Sequence, residues 1–155
     1  MQSPEPPRPV RFLLVEDDDD HADLIRRSLR EHKVVNQIDR VADGEAAMSF
    51  LRKEKEFTQA SRPDVILLDL KLPKLDGHEV LEAIKSDARL RSIPVVILTT
   101  SHAEADVAKA YNAHANSYVV KPIDFGQFHK LVVGLEMYWA VWNIPSIHIP
   151  AVLEP

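Results

Sequence analysis

The strongest constraint on the fold is an apolar run that ends in a single carboxylate. Residues 65–68 are Val-Ile-Leu-Leu, and Asp69 follows them directly. Such a run is typical of a strand covered by helices on both faces of a parallel sheet. Pro73 and Gly77 then interrupt the chain before a helical pattern resumes. The pattern predicts Asp69 at the carboxyl end of a central strand, where open α/β sheets bind ligands. The alternative is that Asp69 only ends the strand or caps a turn.

Strands and helices alternate along the rest of the chain. Largely apolar segments predict strands at 10–15, 65–68, 95–98 and 117–120, and the half-polar segment 38–41 predicts a short strand at an edge of the sheet. Helical periodicity predicts helices at about 20–31, 45–55, 78–86, 103–112 and 125–143. Five alternations indicate an α/β fold with a doubly wound, five-stranded parallel sheet and right-handed crossovers. The fourth helix has few large apolar residues, chiefly Val107 and Tyr111, so we expect it to be weakly held.

Composition limits the classes of function. The 155 residues suffice for one domain over residues 10–143, and a net charge of −5 argues against a broad nucleic-acid surface. The chain has no cysteine, which excludes disulfides and thiolate sites. Residues 1–9 are rich in proline and predict a disordered lead-in without the apolar core of a signal peptide. No apolar run reaches membrane-spanning length. We therefore expect a cytoplasmic protein with neither a membrane nor a direct nucleic-acid partner.

Polar side chains follow four of the five predicted strands. Besides Asp69, they are Glu16 and Asp17 after the first strand, Thr99 after the fourth and Lys121 after the last. The carboxyl ends of parallel strands meet at one edge, so these groups are expected to converge there. The three acids that follow Asp17, residues 18–20, are attributed to capping the next helix.

Three carboxylates at one edge indicate a cation site. They repel one another, and burial without a cation would raise the pKa of at least one of them. Oxygen ligands favour a hard ion, so we expect Mg²⁺ to be held by Glu16, Asp17 and Asp69. The same set suits phosphoryl transfer: Asp69 is the nucleophile, Thr99 donates to a phosphoryl oxygen and Lys121 pairs with its charge.

These residues and their spacing resemble the receiver domain of two-component response regulators over residues 10–143. The shared pattern comprises Glu16-Asp17, Asp69, the Pro73…Gly77 turn, Thr99 and Lys121-Pro122. The resemblance implies a flavodoxin-like strand order of 2-1-3-4-5 and phosphorylation of Asp69 by a sensor histidine kinase. It further implies a receiver that takes part in its own phosphotransfer and autodephosphorylation, without being an enzyme for other substrates.

The resemblance also implies three details of the site. The backbone carbonyl of Lys71 is expected to bind the metal, and the Lys121–Pro122 peptide is expected to be cis. Thr99 and Tyr118 are expected to form the switch, in which the hydroxyl moves inward on phosphorylation and the aromatic ring follows it. The alternative is that Tyr118 is a partly buried strand residue without a dynamic role.

A finer resemblance is to small response regulators that partner phytochrome-type histidine kinases. It rests on the segments at 98–101, 111–118 and 138–142, which read Leu-Thr-Thr-Ser, Tyr-Asn-Ala-His-Ala-Asn-Ser-Tyr and Tyr-Trp-Ala-Val-Trp. The implied partner is a phytochrome-type sensor kinase.

The last helix and the tail predict a homodimer. Helix 125–143 is apolar beyond one stripe, and Trp139 and Trp142 are of the type enriched in interfaces. In the apolar C-terminal extension, 144–155, Pro145 and Pro150 keep the chain from forming a helix, and we expect the extension to reach across to the second subunit. Alternatively, it folds back on its own subunit. The histidines at 21, 32, 78, 102, 114, 129 and 148 are interpreted as surface or incidental residues.

Two other functions are compatible with an α/β sheet of this kind. An aspartyl-phosphate phosphohydrolase usually needs a second aspartate two residues beyond the nucleophile, where this chain has Lys71. A flavin-binding protein needs a hydroxyl- and glycine-rich loop after the first strand, where this chain has acidic residues at 16–20.

Overall fold

The computed structural model of the chain describes residues 9–30 and 36–143. The strands are β1 (Val10–Val15), β2 (Asn36–Val41), β3 (Val65–Leu68), β4 (Val95–Thr99) and β5 (Ser117–Val120). The helices are α1 (Asp19–Arg30), α2 (Gly44–Arg52), α3 (Gly77–Ser86), α4 (Glu104–Asn112) and α5 (Phe125–Met137). A 3₁₀ turn spans Lys55–Phe57, and a π-helical turn spans Tyr138–Trp142. The predicted lead-in, except residue 9, and the predicted C-terminal arm lie outside the described residues.

The five strands form one parallel sheet in the order β2-β1-β3-β4-β5, which confirms the predicted fold. Val15 pairs with Leu68 and Leu68 with Ile97, while Thr99 pairs with Val120. This register brings the carboxyl ends of β1, β3, β4 and β5 to the same edge. All four residues of β3 are buried, as its unbroken apolar sequence predicts.

Helices cover both faces of the sheet. Alternate β1 side chains point to opposite faces, so Leu13 and Val15 pack with α2, α3 and α4, while Phe12 and Leu14 pack with α1 and α5. Most of these helices contribute several buried side chains, but α4 contributes only Ala110. This agrees with the few large apolar residues in the α4 sequence, and the weak attachment of the helix stays a prediction. No helix in the described ranges combines the length and apolar character that crossing a membrane requires.

Aspartates begin four of the helices. Asp18 accepts hydrogen bonds from the amides of Asp20 and His21, in agreement with its predicted capping role. The side chains that cap α2, α3 and α5 are those of Asp43, Asp76 and Asp124. The second helix ends earlier than predicted, because Lys53 has a left-handed backbone with φ of 57°.

Two glycines allow close backbone approach around the segment after Asp69. A Cβ on Gly77 would lie 2.3 Å from the carbonyl oxygen of Asp69, and one on Gly44 would lie 1.8 Å from that of Leu75. The amide of Gly77 also donates to the carbonyl of Leu70 at 2.8 Å. The turn between β3 and α3 is therefore packed against the beginnings of α2 and α3.

The end of the fifth helix differs in part from the prediction. Phe128 and Val132 are buried against the sheet, as expected. Trp139, predicted at a dimer interface, packs in its own subunit and is only 9% exposed. The π-helical turn places Trp139 and Trp142 on different sides, and Tyr138 and Trp142 remain 53% and 75% exposed.

Candidate functional site

The predicted site residues meet at the carboxyl edge of the sheet. Glu16, Asp69, Thr99 and Lys121 are buried there, and Asp17 is exposed. One carboxylate oxygen from each of Glu16, Asp17 and Asp69 lies within 4.8 Å of the other two. The structure thus brings together the five groups that the strand ends predicted.

Lys121 lies between the two buried carboxylates. Its Nζ donates to Glu16 Oε1 in a short contact and to Asp69 Oδ2 at 2.9 Å. Its backbone amide donates to the carbonyl of Thr99 at 2.7 Å, which fixes the end of β5 against β4. Lys121 is therefore the counter-ion that lets two acids share a buried site.

The two buried carboxyl groups have opposite pKa shifts. Burial raises the pKa of Glu16 to about 7, although Lys121 opposes the shift. Burial also acts to raise the pKa of Asp69, but the hydrogen bond and charge of Lys121 outweigh it, and that pKa is lowered. As the pH rises, Asp69 therefore ionises before Glu16, whose side chain is the less exposed of the two. Asp69 stays ionised, as a nucleophile requires.

The remaining partners of Asp69 come from β4 and from its own loop. A hydrogen bond with the buried Thr99 side chain also lowers the pKa of Asp69. The amide of Lys71 donates to Asp69 Oδ1 at 3.3 Å. The coordination of a metal by the Lys71 carbonyl stays a prediction.

The aromatic residue of the predicted switch is tied to the loop after β4. Tyr118 donates its hydroxyl to the carbonyl of Ser101 at 2.9 Å, two residues beyond Thr99. The hydroxyl of Ser101 donates to Asp106 Oδ2 at 2.5 Å, and His78 Nε2 lies 3.1 Å from Asp106 Oδ1. This chain of contacts links β5, the β4–α4 loop, α4 and α3.

Sequence reasoning missed three side chains around the site. His21 Nδ1 lies 3.1 Å from Lys121 Nζ, and the His78 side chain is only 12% exposed beside Asp106. The interpretation as surface or incidental residues is therefore wrong for His21 and His78. It is also wrong for His129, away from the site, whose side chain forms a 2.8 Å hydrogen bond with Ser28. Arg40 of the edge strand, also not predicted, contacts the acidic loop. The position of His21 in the first turn of α1, close behind the acids, was the available signal.

The expected cis peptide before Pro122 is not present. The described backbone contains no cis peptide bond, so the Lys121–Pro122 bond is trans. The trans form is favoured in X–Pro bonds by about 0.5–1 kcal/mol, and with it Lys121 already reaches both Glu16 and Asp69.

The donor set fits a hard divalent cation. Its ligand atoms are all oxygens, and Asp17 leaves the cluster open to solvent. Burial makes Glu16 costly to ionise beside Asp69, and a divalent charge would offset that cost. The observation therefore supports a metal at this edge without distinguishing Mg²⁺ from Mn²⁺.

Comparison with known proteins gives the family. Residues 12–133 match the response regulator receiver domain. The chain belongs to the response regulator receiver family. This receiver is 46% identical over 135 residues to the probable methanogenesis regulatory protein FilR2 of Methanothrix harundinacea, covering 87% of this chain and 86% of that protein. It is 41% identical over 143 residues to response regulator Rcp1 of Synechocystis sp., covering 92% and 95%.

Solved structures confirm the receiver fold. The Mn²⁺-bound form of Rcp1 matches with a TM-score of 0.87 and 40% identity, over 90% of this chain and 100% of that one. The phosphorylated cyanobacterial phytochrome response regulator RcpA matches with a TM-score of 0.88 and 42% identity, over the same shares. This receiver therefore functions in two-component signalling and is similar to phytochrome-associated response regulators.

Proposed function

We propose that this receiver accepts a phosphoryl group on Asp69 from a sensor histidine kinase. The observation that carries the proposal is the ionised Asp69 at the centre of the sheet edge, with Lys121 Nζ 2.9 Å from its Oδ2. A carboxylate so placed is a competent nucleophile toward phosphorus. Lys121 and the buried hydroxyl of Thr99 lie beside it, and both can stabilise the negative charge of a phosphoryl group.

In the proposed transfer, a carboxylate oxygen of Asp69 forms a bond to phosphorus. The bond between phosphorus and the imidazole nitrogen of the donor phosphohistidine breaks, and the imidazole leaves with the electron pair and takes up a proton from solvent. Lys121 then pairs with the phosphoryl group, and Thr99 donates a hydrogen bond to it. In autodephosphorylation, the oxygen of a water molecule later forms a bond to the phosphorus of the acyl phosphate, and the bond between phosphorus and the Asp69 oxygen breaks. Inorganic phosphate and a proton leave to solvent, and the Asp69 carboxylate keeps the electron pair.

We further propose that Glu16, Asp17, Asp69 and the carbonyl of Lys71 hold Mg²⁺. When bound, the metal neutralises charge on the oxygens of the transferred group. The support is the all-oxygen donor set and the costly ionisation of Glu16. The presence of Mn²⁺ in the Rcp1 structure is consistent with the same class of ion.

The proposed output switch consists of Thr99 and Tyr118. Inward movement of the Thr99 hydroxyl toward a phosphoryl group would shift Ser101, whose carbonyl accepts the hydrogen bond of Tyr118. The tyrosine ring would then move into the space that the loop leaves. The phosphoryl group drives this change only as far as it binds one arrangement better than the other.

For the partners, we propose a phytochrome-type kinase and a second copy of the chain, acting in the cytoplasm without direct nucleic-acid or membrane contact. The sequence similarity of this chain to Rcp1 and to the phytochrome response regulator RcpA supports the phytochrome-type kinase. The exposed Tyr138 and Trp142 support a homodimer through helix 125–143 and the C-terminal extension. Sedimentation of the full chain and of a chain ending at Asn143 tests this; an equally tight dimer without the extension would contradict its role.

The phosphoacceptor is tested with acetyl phosphate and Mg²⁺, followed by electrophoretic separation of phosphorylated from unphosphorylated protein. Asp69→Asn should show no labelling, because the amide is a poor nucleophile. Asp87→Asn is the matched control, since Asp87 follows α3 at the opposite edge of the sheet and should be labelled normally. Undiminished labelling of Asp69→Asn would refute the assignment. Illumination-dependent labelling by a phytochrome kinase would support the partner, and labelling by other sensor kinases alone would contradict it.

A further inference from the structure

We propose that Arg40 positions the loop that carries the metal ligand Asp17, and thereby sets the preference of the site for Mg²⁺ over larger cations. The inference rests on the proposed metal site. Among the described residues, Arg40 contacts the backbone carbonyl of Glu16 and the side chain of Asp19, neither of which is a proposed ligand atom, so its role is to hold the loop rather than to bind the ion.

One guanidinium holds both ends of the acidic loop. Arg40 Nε donates to the backbone carbonyl of Glu16 at 2.8 Å. Its Nη2 lies 2.9 Å from Asp19 Oδ1, an ion pair without hydrogen-bond geometry. Asp17 and Asp18 lie between these two anchored residues. The exposed ligand Asp17 thus stands on a short loop that is fixed before and after it.

The edge strand supports this arrangement. Arg40 is in β2 and pairs in register with Leu14 of β1, two residues before Glu16. The amide of Glu16 donates to the carbonyl of Val41 at 3.1 Å. Together with the bond from Arg40 to the Glu16 carbonyl, β2 therefore contacts both backbone polar groups of Glu16. The Arg40 side chain is only 15% exposed. The Nε donor of this partly buried arginine is satisfied by the Glu16 carbonyl, whereas its Nη2 is held near Asp19 by charge alone.

A positioning role and a purely electrostatic role of Arg40 predict opposite changes in cation affinity when the residue is removed. If the residue acted only through its charge, its removal would strengthen cation binding, because one nearby repulsive charge would be gone. If it holds the loop, its removal would weaken Mg²⁺ binding, because Asp17 would no longer be pre-positioned. The sign of the change therefore separates the two roles.

The two roles also differ in metal selectivity. Mg²⁺ demands near-ideal octahedral geometry at short distances, whereas Ca²⁺ accepts longer and more variable arrangements. A loosened Asp17 should therefore reduce affinity for Mg²⁺ more than affinity for Ca²⁺. A loss of repulsion alone would raise both affinities, and partial unfolding would lower both together.

The experiment is calorimetric titration of the full chain with Mg²⁺ alone and with Ca²⁺ alone. We expect Arg40→Gln to weaken Mg²⁺ binding by about tenfold, the lower end of the effect of residues that orient metal ligands, with a smaller loss for Ca²⁺. Arg40→Lys should also weaken Mg²⁺ binding, because a single ammonium cannot reproduce the directed Nε hydrogen bond together with the contact of Nη2 with Asp19. Asp19→Asn should have the smaller effect, since the bond to the Glu16 carbonyl remains.

Unchanged or tighter Mg²⁺ binding in Arg40→Gln would overturn the inference, as would equal losses for the two ions. Wild-type Mg²⁺ affinity in Arg40→Lys would show that charge alone suffices and would also overturn it. Asp17→Asn separates this inference from the proposed function. If Asp17→Asn binds Mg²⁺ normally, the proposed metal site itself fails. If Asp17→Asn loses binding while Arg40→Gln does not, only the role of Arg40 is refuted.

Discussion

The two sides of the site are packed very differently. Asp69 follows β3, which is buried along its whole length, and the adjoining α3 buries Val80, Leu81 and Ile84. Lys121 follows β5, which has no fully buried residue, and the neighbouring α4 buries only Ala110. The difference shows that one edge of a sheet can combine a tightly packed half, which holds the proposed phosphoacceptor Asp69, with a loosely packed half around Lys121.

The energetic reason is the apolar area that each half removes from water. A fully buried aliphatic side chain contributes about 1.5–3 kcal/mol, and α3 has three of them. With only an alanine buried, α4 is held chiefly by polar contacts at its beginning, among Ser101, Asp106 and His78. Segments with so little apolar burial open most easily.

The largest expected effect comes from truncating one aliphatic side chain in each half to alanine. Ile84→Ala in α3 should lower the free energy of unfolding by about 2–5 kcal/mol, because Ile84 is fully buried and leaves a cavity. Val107→Ala in α4 is the matched change and should cost about 1 kcal/mol or less, since Val107 is only partly buried. Urea unfolding followed by circular dichroism measures both. Equal losses would remove the distinction between the halves.

An intermediate effect is expected from pH in the absence of divalent metal. The folded-state pKa of Glu16 is raised from 4.5 to about 7, so the folded state binds more protons than the unfolded chain between these values. Stability should therefore fall as pH rises from about 4.5 to about 7, by about 1–3 kcal/mol, since one pKa unit corresponds to about 1.4 kcal/mol. The lowered pKa of Asp69 acts below this window, where stability is lost as the pH falls through the Asp69 pKa.

Glu16→Gln separates the contribution of Glu16 from that of other groups. The variant has no carboxyl group to ionise at this position, so its stability should vary less between pH 5 and pH 7.5 than that of the wild type, both measured by thermal unfolding in chelator. If the pH dependence is unchanged, ionisation of Glu16 is not what lowers the stability of the folded state, and another group is responsible.

The smallest expected effect is confined to the beginning of α4, in the loosely packed half. The hydrogen bond from Ser101 is the main cause of the lowered pKa of Asp106, with His78 the next. Ser101→Ala should therefore raise the pKa of Asp106, while Ser101→Thr, which keeps a hydroxyl, should leave it near the wild-type position. Carbon-detected NMR titration of the Asp106 carboxyl group measures the shift. If alanine and threonine behave alike, Ser101 is not what anchors the beginning of α4.

The strand ends of the site were the part most predictable from sequence. A strand fixes the position of the residue that follows it, so Asp69, Thr99 and Lys121 could be placed from strand ends alone, in both halves of the edge. The strand order came from the family pattern. Local sequence was sufficient there because each parallel strand end is fixed by the sheet.

The contacts that escaped prediction join elements whose relative positions the sequence does not fix. His21 and Arg40 reach the site from α1 and from the edge strand, and a pattern along one element does not show what lies across from it. Trp139 lies seven residues after the buried Val132 and continues the buried stripe of α5, although its aromatic type had suggested an interface. The left-handed backbone of Lys53 ends α2, and the sequence has no glycine at this position to indicate the end of the helix.

The two close backbone approaches in the turn after Asp69 act as mechanical stops. The carbonyl oxygens of Asp69 and Leu75 lie where side chains on Gly77 and Gly44 would otherwise be. The turn therefore has no free space toward the beginnings of α3 and α2. If Asp69 is phosphorylated as proposed, we expect the added volume to be accommodated on the other side, toward β4 and β5.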